Sequence, residues 1–349
     1  MNHKATAGLL IGMAVVAGCS VMTSFDGYTA SDVSCDPLRW PSRPNDGSGG
    51  TRTLFGATRQ ILLADPDAGT DPGLDLDGLC TCPQAGSCVP PTGAKAGCDN
   101  GSRGVDNNGG ALFGALFSNV QGLQQEIVHG QHGIVVRVDR YNGQANDPDV
   151  IASIYNVVGV DGKTDGGASA KFDGTDSFIV DSDSVISDGE LQSKYFDEQA
   201  YVANNVLVAT IPSFRLRLMI PPSDRSNAEE VIEEIKGVQL VGRIEPEGAG
   251  LRIQRAVLAG RIPLATMFLH AGSGSVCSDA GVFDFIKPRV CGALDLPADP
   301  QANRGTTCNA LSFALLLDVA PAQAPSGAKT ITSTGPSCPP TDVRCDDSP

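Results

Sequence analysis

The chain has 349 residues, of which 41% are hydrophobic and 19% are charged, with a formal net charge of −15 at pH 7. This hydrophobic fraction excludes a wholly disordered chain. The dispersed acidic excess excludes a nucleic acid as partner, because little basic charge is present to neutralise phosphates. The 41 Gly and 23 Pro indicate many turns and favour a β-rich fold.

The first 18 residues have the pattern of an export signal. Lys4 precedes an apolar run over residues 5–16, which is shorter than the about 17–25 residues that a membrane-spanning helix needs. Residues 16–19 read Val-Ala-Gly-Cys, which resembles the lipobox of bacterial lipoproteins. The resemblance implies that residues 1–18 are a lipoprotein signal peptide and that the Cys19 sulfur receives a diacylglycerol. The new amino group would then be acylated, typically with palmitate.

The same resemblance predicts where the protein is located. Two or three acyl chains anchor a protein stably, so we expect the mature chain to be bound to membrane lipid in the bacterial cell envelope. Ser20 stands where many Gram-negative lipoproteins carry an Asp for inner-membrane retention, which favours the outer membrane. The alternative is an ordinary secretory signal, or an uncleaved anchor, that happens to contain a cysteine.

The cysteine count is consistent with an exported protein. Beside Cys19 there are ten further Cys among the 11 of the chain, and an even number is typical of disulfides in an oxidising compartment. Five lie early and five late, so complete pairing requires at least one bridge between the two groups. The disulfide candidates are Cys35, Cys80, Cys82, Cys88, Cys98, Cys277, Cys291, Cys308, Cys338 and Cys345.

The residues that follow the signal divide by composition. Residues 19–50 are rich in Ser, Asp, Pro and Gly and predict a flexible tether, which contains the single Trp40. Residues 51–64 predict a first strand. Residues 65–110 are dense in Cys and Asp and have too few apolar residues for a core of their own. Disulfides, bound ions or packing on the rest of the chain must therefore order this segment.

Hydrophobic periodicity predicts the elements after residue 110. A helix is expected over residues 111–127, with Asn107 or Asn108 as its cap and Gly130 at its end. Short helices are also expected over residues 226–236, from a Ser-x-x-Glu capping box, and over residues 263–270. Alternation predicts strands over residues 133–139, 150–160, 171–180, 200–211, 214–218, 238–244, 251–258 and 311–319, with a hairpin turn at Asn204 and Asn205.

These elements predict a mainly β fold with a few short helices and a disulfide-rich N-terminal loop region. About eight to ten strands favour a β-sandwich of jelly-roll or concanavalin-like type. We expect one β-rich domain over residues 51–320, followed by an irregular tail over residues 321–349 that is rich in Pro, Ser and Thr.

A second resemblance covers roughly residues 74–320. The blocks DLDGLCTC, GVDNNGG, YNGQANDPDV, FDGTDSFIVD and AYVANNVLVATIP are similar to blocks in a group of uncharacterised bacterial envelope lipoproteins. It implies one integrated domain, but that group has no known activity or site. The block FDGTDSFIVD is also similar to strands of laminin-G and concanavalin-like sandwiches.

Two metal hypotheses follow from clustered ligand residues. Asp75, Asp77, Asp99 and Asp106 supply carboxylates of the kind that Ca²⁺ takes in sets of six to eight oxygens, which makes them candidates for a structural calcium site. The alternative is that these residues build turns, since no complete EF-hand loop is present.

Zinc is the other metal hypothesis. Cys80, Cys82, Cys88 and Cys98, or His129 with His132, could ligate it. In an oxidising compartment, disulfide pairing of the thiols is favoured over zinc binding.

The sequence shows no catalytic constellation and predicts no enzyme. It has no Gly-x-Ser-x-Gly elbow, and the Ser-x-x-Lys pattern at residues 326–329 lacks its companion motifs. The leading hypothesis is an envelope lipoprotein with a structural or binding role, whose protein or glycan partner the sequence does not identify. The alternatives are a carbohydrate- or envelope-polymer-binding sandwich and a hydrolase with paired carboxylates. The low aromatic content of 5% argues against the carbohydrate alternative.

Overall fold

The computed structural model describes residues 40–63, 72–81, 86–91, 104–116, 120–162, 169–187, 191–220, 229–248, 250–271, 281–331 and 344–345. These residues belong to one compact unit, Cys35–Pro349. The predicted signal peptide, Cys19 and the first part of the predicted tether lie outside the described residues.

The described chain is mainly strand, with four short helices. The helices are α1 (Asn108–Leu116), α2 (Val120–Val128), α3 (Leu264–Ala271) and α4 (Gly281–Ala293). The strands are β1 (Arg52–Leu62), β2 (Ile134–Tyr141), β3 (Asp147–Val160), β4 (Phe178–Asp181), β5 (Phe196–Ala203), β6 (Val206–Ile220), β7 (Glu229–Glu247), β8 (Gly250–Pro263), β9 (Ala310–Pro321) and β10 (Gly327–Lys329).

All ten strands form one sheet, in the order β10-β4-β3-β2-β1-β9-β8-β7-β6-β5. The sheet closes on itself, because β5 also pairs antiparallel with β3, from Asp147 opposite Val202 to Ser153 opposite Phe196. Eight antiparallel strands therefore form a closed ring. The predicted mainly β class is confirmed, and the closed sheet encloses the core that a sandwich would hold between two sheets.

Strand β3 is long enough to pair twice along one edge. Its first half pairs with β5, whereas Val157 to Val160 pair with β4, which in turn pairs in parallel with β10. A short flap of two strands thus leaves the ring at β3. Arg217 on β6 holds this flap through an ion pair of 2.5 Å with Asp181 on β4, and their side chains are 6% and 3% exposed.

The largest hydrophobic cluster fills the ring. Alternate residues of the strands point inward, such as Leu315, Leu317 and Val319 on β9, and all three are fully buried. Helix α2 contacts both β1 and β6, which lie on opposite sides of the ring, and it buries Leu123 and Ile127 in the same cluster. The interior is therefore packed by side chains of the strands and of α2.

Several local predictions are confirmed by the structure. Asn204 and Asn205 both have positive φ, at 53° and 62°, and join β5 to β6 as the predicted hairpin turn. Asn107 caps α1, since its Oδ1 accepts a hydrogen bond from the Gly110 N–H at 3.2 Å. Gly130, with φ of 69°, follows α2 as the predicted helix end.

The predicted helix over residues 226–236 is wrong in its described part. From Glu229 to Lys236 every residue pairs with β6 as part of β7. The segment EEVIEEIK has helix-forming residues and helical spacing, but pairing with β6 and burial of Ile232 and Ile235 outweigh that propensity. As a result the side chain of Glu233 is 5% exposed and opposite Leu216, whose side chain belongs to the core.

Other boundaries also differ from the predictions. The single helix expected over residues 111–127 corresponds to α1 and α2, with residues 117–119 outside the described part. Strand β4 begins at Phe178, whereas the prediction began it at residue 171. Helix α4 was not predicted, because Pro288 lies inside it and Gly residues flank its short apolar pattern.

Two disulfides lie in the described residues. Cys88 pairs with Cys308 across 220 residues, which is the predicted bridge between the early and late groups. Cys291 pairs with Cys345, which fixes the end of the chain against α4. Cys80 is disulfide-bonded as well. The remaining candidates, Cys35, Cys82, Cys98, Cys277 and Cys338, lie outside the described residues.

Candidate ligand-binding cavity beside an acidic loop

The segment after residue 72 covers the outer face of the ring. Leu74 and Leu76 pack against Ala259 on β8 and Ala314 on β9, whose side chains point away from the interior. Leu74 also bridges Asp106 through the backbone, with an N···O distance of 3.0 Å. This packing brings together two segments that lie 30 residues apart in the cysteine-rich region.

Asp side chains fold the loop between residues 75 and 79. Asp75 Oδ1 accepts hydrogen bonds from the Gly78 N–H at 2.7 Å and from the Leu79 N–H at 3.2 Å. Asp77 Oδ1 accepts from the Leu79 N–H at 2.8 Å, and Asp106 Oδ2 accepts from the Leu76 N–H at 2.6 Å. These bonds are the turn-building role that Asp commonly has in loops.

The structure brings three of the four calcium candidates together. One carboxylate oxygen of each of Asp75, Asp77 and Asp106 lies within 4.8 Å of the other two, whereas Asp99 lies outside the described residues. Asp77 Oδ2 is buried without a hydrogen-bond partner in the described part of the chain. The donor chemistry suits a hard cation, but three side chains supply fewer than its usual six to eight ligands. The calcium site remains a prediction.

A buried arginine lies close to two of these carboxylates, Asp77 and Asp106. The Arg261 side chain on β8 donates to the Leu76 carbonyl oxygen. Burial lowers the pKa of its guanidinium, and the charges of Asp106 and Asp77 oppose that shift. Arg261 thus supplies one positive charge that partly balances the acidic loop.

A cavity of about 500 Å³ opens next to this loop. Asp75 and Gly78 form one wall, and Tyr201 on β5 with the segment from Trp40 to Arg43 forms the other. Trp40 also packs against the outer cluster that contains Leu74 and Leu76. We call this site the Trp40 cavity.

Hydrogen bonds fix the segment that carries Trp40. The Tyr201 hydroxyl donates to the Pro41 carbonyl oxygen at 2.7 Å. The Arg43 guanidinium lies over the Tyr201 ring, 5.0 Å from its centroid, and donates to the carbonyl oxygens of Pro148 at 2.7 Å and of Gln199. Burial raises the pKa of Tyr201, and the Arg43 charge opposes the shift. The described part of the predicted tether therefore lies against the ring.

The Trp40 cavity combines aromatic and charged groups. Trp40 and Tyr201 provide aromatic rings, and Asp75 and Arg43 provide an acceptor and a donor. A concave site with apolar faces and a few polar groups is the usual form of a small-molecule site. Sequence reasoning placed Trp40 in a tether, because no periodicity in residues 40–50 indicates that they pack on β5.

The structure does not bring the two histidines of the zinc hypothesis into one environment. His129 is exposed at the end of α2, whereas His132 is 5% exposed and lies near Arg217. Cys80 and Cys88 are disulfide-bonded, as expected for thiols in an oxidising compartment. The described residues therefore give no support to a zinc site.

None of the helices in the described part of the chain has the length and apolar character that a membrane crossing requires. The chain matches no family model, no curated protein and no solved structure.

The environment of His132 predicts a pH dependence of stability. Burial, followed by the charge of Arg217, lowers the pKa of His132 from 6.5 to about 4. Between these values the unfolded chain binds more protons than the folded chain, so the free energy of unfolding falls as pH decreases. From pH 7 to pH 4.5 we expect the wild type to lose about 2–3 kcal/mol more than His132→Leu, measured by urea unfolding.

Glu233 changes the free energy of unfolding with pH in the opposite direction from His132. The effect of His132 is therefore measured as a difference between variants. Burial raises the pKa of Glu233 well above 4.5, so its protonation favours the folded chain as pH falls. His129→Leu, which removes the exposed histidine three residues earlier, is the matched control and should follow the wild type. An equal loss in the wild type and in His132→Leu would show that His132 titrates normally.

Proposed function

We propose that this chain is a lipid-anchored protein of the bacterial cell envelope whose β-rich domain binds a saccharide of an envelope polymer without catalysis. The anchor rests on the Val-Ala-Gly-Cys sequence at residues 16–19 and on the short apolar run before it. The ligand class rests on the Trp40 cavity, which is the observation that carries the proposal.

Sugars present flat apolar faces edged by hydroxyl groups. The rings of Trp40 and Tyr201 provide aromatic surface for such faces. The Asp75 carboxylate and the Arg43 guanidinium can accept from and donate to hydroxyl groups at the cavity wall. Because the Trp40–Arg43 segment is already fixed to β5 and to β3, little ordering is needed on binding.

A hydrolytic role is not favoured by the same cavity. Glycoside cleavage uses two carboxyl groups that flank the scissile bond, about 5–9.5 Å apart. Among the described residues that line the cavity, Asp75 is the one carboxylate, and its Oδ1 already accepts two backbone hydrogen bonds. The arrangement supports binding rather than catalysis.

The ligand class is tested by a glycan array followed by calorimetric titration of the saccharide that binds. Trp40→Ala should weaken binding at least tenfold, whereas Trp40→Phe should retain part of the affinity because it keeps an aromatic face. Phe285→Ala is the matched control, since Phe285 is 52% exposed on α4 and does not line the cavity. If no saccharide binds, or if Trp40→Ala binds as well as the wild type, the ligand class is wrong.

The anchor is tested by mass spectrometry of the protein purified from bacterial membranes. We expect the mature chain to begin at Cys19 with a diacylglycerol on its sulfur and an acyl chain on its amino group. Cys19→Ser should leave the protein unacylated and release it from the membrane fraction. An unmodified N-terminus at any other residue would contradict the anchor while leaving saccharide binding untouched.

A further inference from the structure

A second cavity, of about 350 Å³, lies on the outer face of the ring where β1, β9 and β8 run side by side. Three arginines line it, together with Asp318 and the side-chain amides of Gln60 and Gln254. We call it the arginine cavity, after Arg59, Arg252 and Arg255. It shares no lining residue with the Trp40 cavity.

Two β-bulges build the arginine cavity, one on each side of Asp318. Thr58 pairs with Val319 and Gln60 pairs with Asp318, so β1 advances by two residues where β9 advances by one. Arg59 is therefore the extra residue of the bulge in β1. Ile253 pairs with Val319 and Ala256 pairs with Leu317, so β8 advances by three residues where β9 advances by two. This leaves one extra residue in β8. A bulge redirects side chains and commonly lies beside a functional site.

The β8 bulge places Arg255 in an unusual backbone conformation. Its φ is 50°, in the left-handed region that Gly adopts freely and L side chains rarely adopt. A glycine would therefore form this bulge without strain. The position instead carries a long cationic side chain that lines the cavity.

Two carboxylates near the cavity already form ion pairs with Arg59 and Arg252. Asp318 pairs with Arg59 at 2.7 Å, and Glu247 pairs with Arg252 at 2.6 Å. Glu245 accepts a hydrogen bond from Gln254 at 2.8 Å. The Arg255 side chain is exposed and forms no ion pair or hydrogen bond with any residue that the structure describes. The cavity thus presents one guanidinium whose donors are not engaged, close to two others.

We propose that the arginine cavity binds a phosphate group, which the planar fork of the Arg255 guanidinium contacts with two hydrogen bonds. Arg–phosphate pairs are frequently bidentate, and the residues that line the cavity carry three guanidiniums against the one carboxylate of Asp318. The whole chain carries a net charge of −15, so attraction of an anion has to come from this local cluster. The proposal is independent of the saccharide site.

The experiment is a titration of the full-length protein with inorganic phosphate, followed by heteronuclear NMR. Sodium chloride at the same ionic strength serves as the reference for each point. We expect saturable shifts confined to the arginine cavity, with a Kd on the order of 1–10 mM. Arg255→Gly should weaken binding at least tenfold and should unfold at the same temperature as the wild type or at a higher one, because glycine relieves the left-handed conformation.

Arg140→Gly is the matched control. Arg140 is also an exposed arginine with a positive φ, of 60°, but it lies at the end of β2 and does not line the cavity. Both variants remove one positive charge and one strained side chain. Arg140 also pairs with Asp149 at 3.8 Å, but both side chains of that pair are exposed, so its loss should change stability little. Arg255→Lys keeps the positive charge but loses the planar guanidinium that can form two parallel hydrogen bonds, so it should bind phosphate with intermediate affinity.

Glycerophosphoglycerol, the soluble headgroup of an anionic phospholipid, identifies the source of the phosphate. Tighter binding of this diester would assign a lipid headgroup, and tighter binding of inorganic phosphate would assign a free phosphate or a phosphomonoester. Either result supports the site when Arg255→Gly weakens the binding at least tenfold. The proposal is overturned if phosphate causes no larger shifts than chloride, or if Arg255→Gly binds as tightly as Arg140→Gly.

Discussion

The pairing of β3 with β5 is the constraint on which the rest of the structure depends. Without it the ring would present two open edges and the fully buried residues of its interior would meet water. The pairing uses the half of β3 from Asp147 to Ser153, so the other half remains available for β4. A slip of one residue would exchange the inner and outer faces of β5, and burial therefore fixes the register.

Closure also explains why both cavities lie on the outer face. The interior is filled by side chains of the strands and of α2, which leaves the outer surface for binding. On that surface irregular features carry the candidate chemistry. The Trp40–Arg43 segment is fixed to Tyr201 on β5, and the arginine cavity depends on bulges on either side of β9. A rigid ring holds both sets of residues in place.

Much of the fold could be predicted from the sequence, because the apolar residues of the interior cluster recur at alternate positions of most strands and alternation is a local signal. Asn204 and Asn205 likewise indicate a hairpin turn whose residues adopt positive φ. Residues 229–236 were assigned wrongly, since their helical spacing is outweighed by pairing with β6, which no local pattern reveals. Ring closure could not be predicted for the same reason, because it depends on the register between strands that are distant in the sequence.

The candidate sites were predictable only in part. The aspartates at positions 75, 77 and 106 were identified by their residue type, and the structure brings them together. The position of Trp40 against β5 and the bulge at Arg255 have no sequence signal, because both arise from contacts between distant segments. A bulge adds one residue without changing composition, so it is invisible until the register of both neighbours is known.

Native-state hydrogen exchange of the backbone amides tests closure of the ring most directly. If the ring is closed, the amides shared by β3 and β5 exchange only through global unfolding, as slowly as those shared by β6 and β7. Exchange of the β3–β5 amides that is faster by orders of magnitude under native conditions, while β6 and β7 remain protected, would show that the sheet is open at this edge.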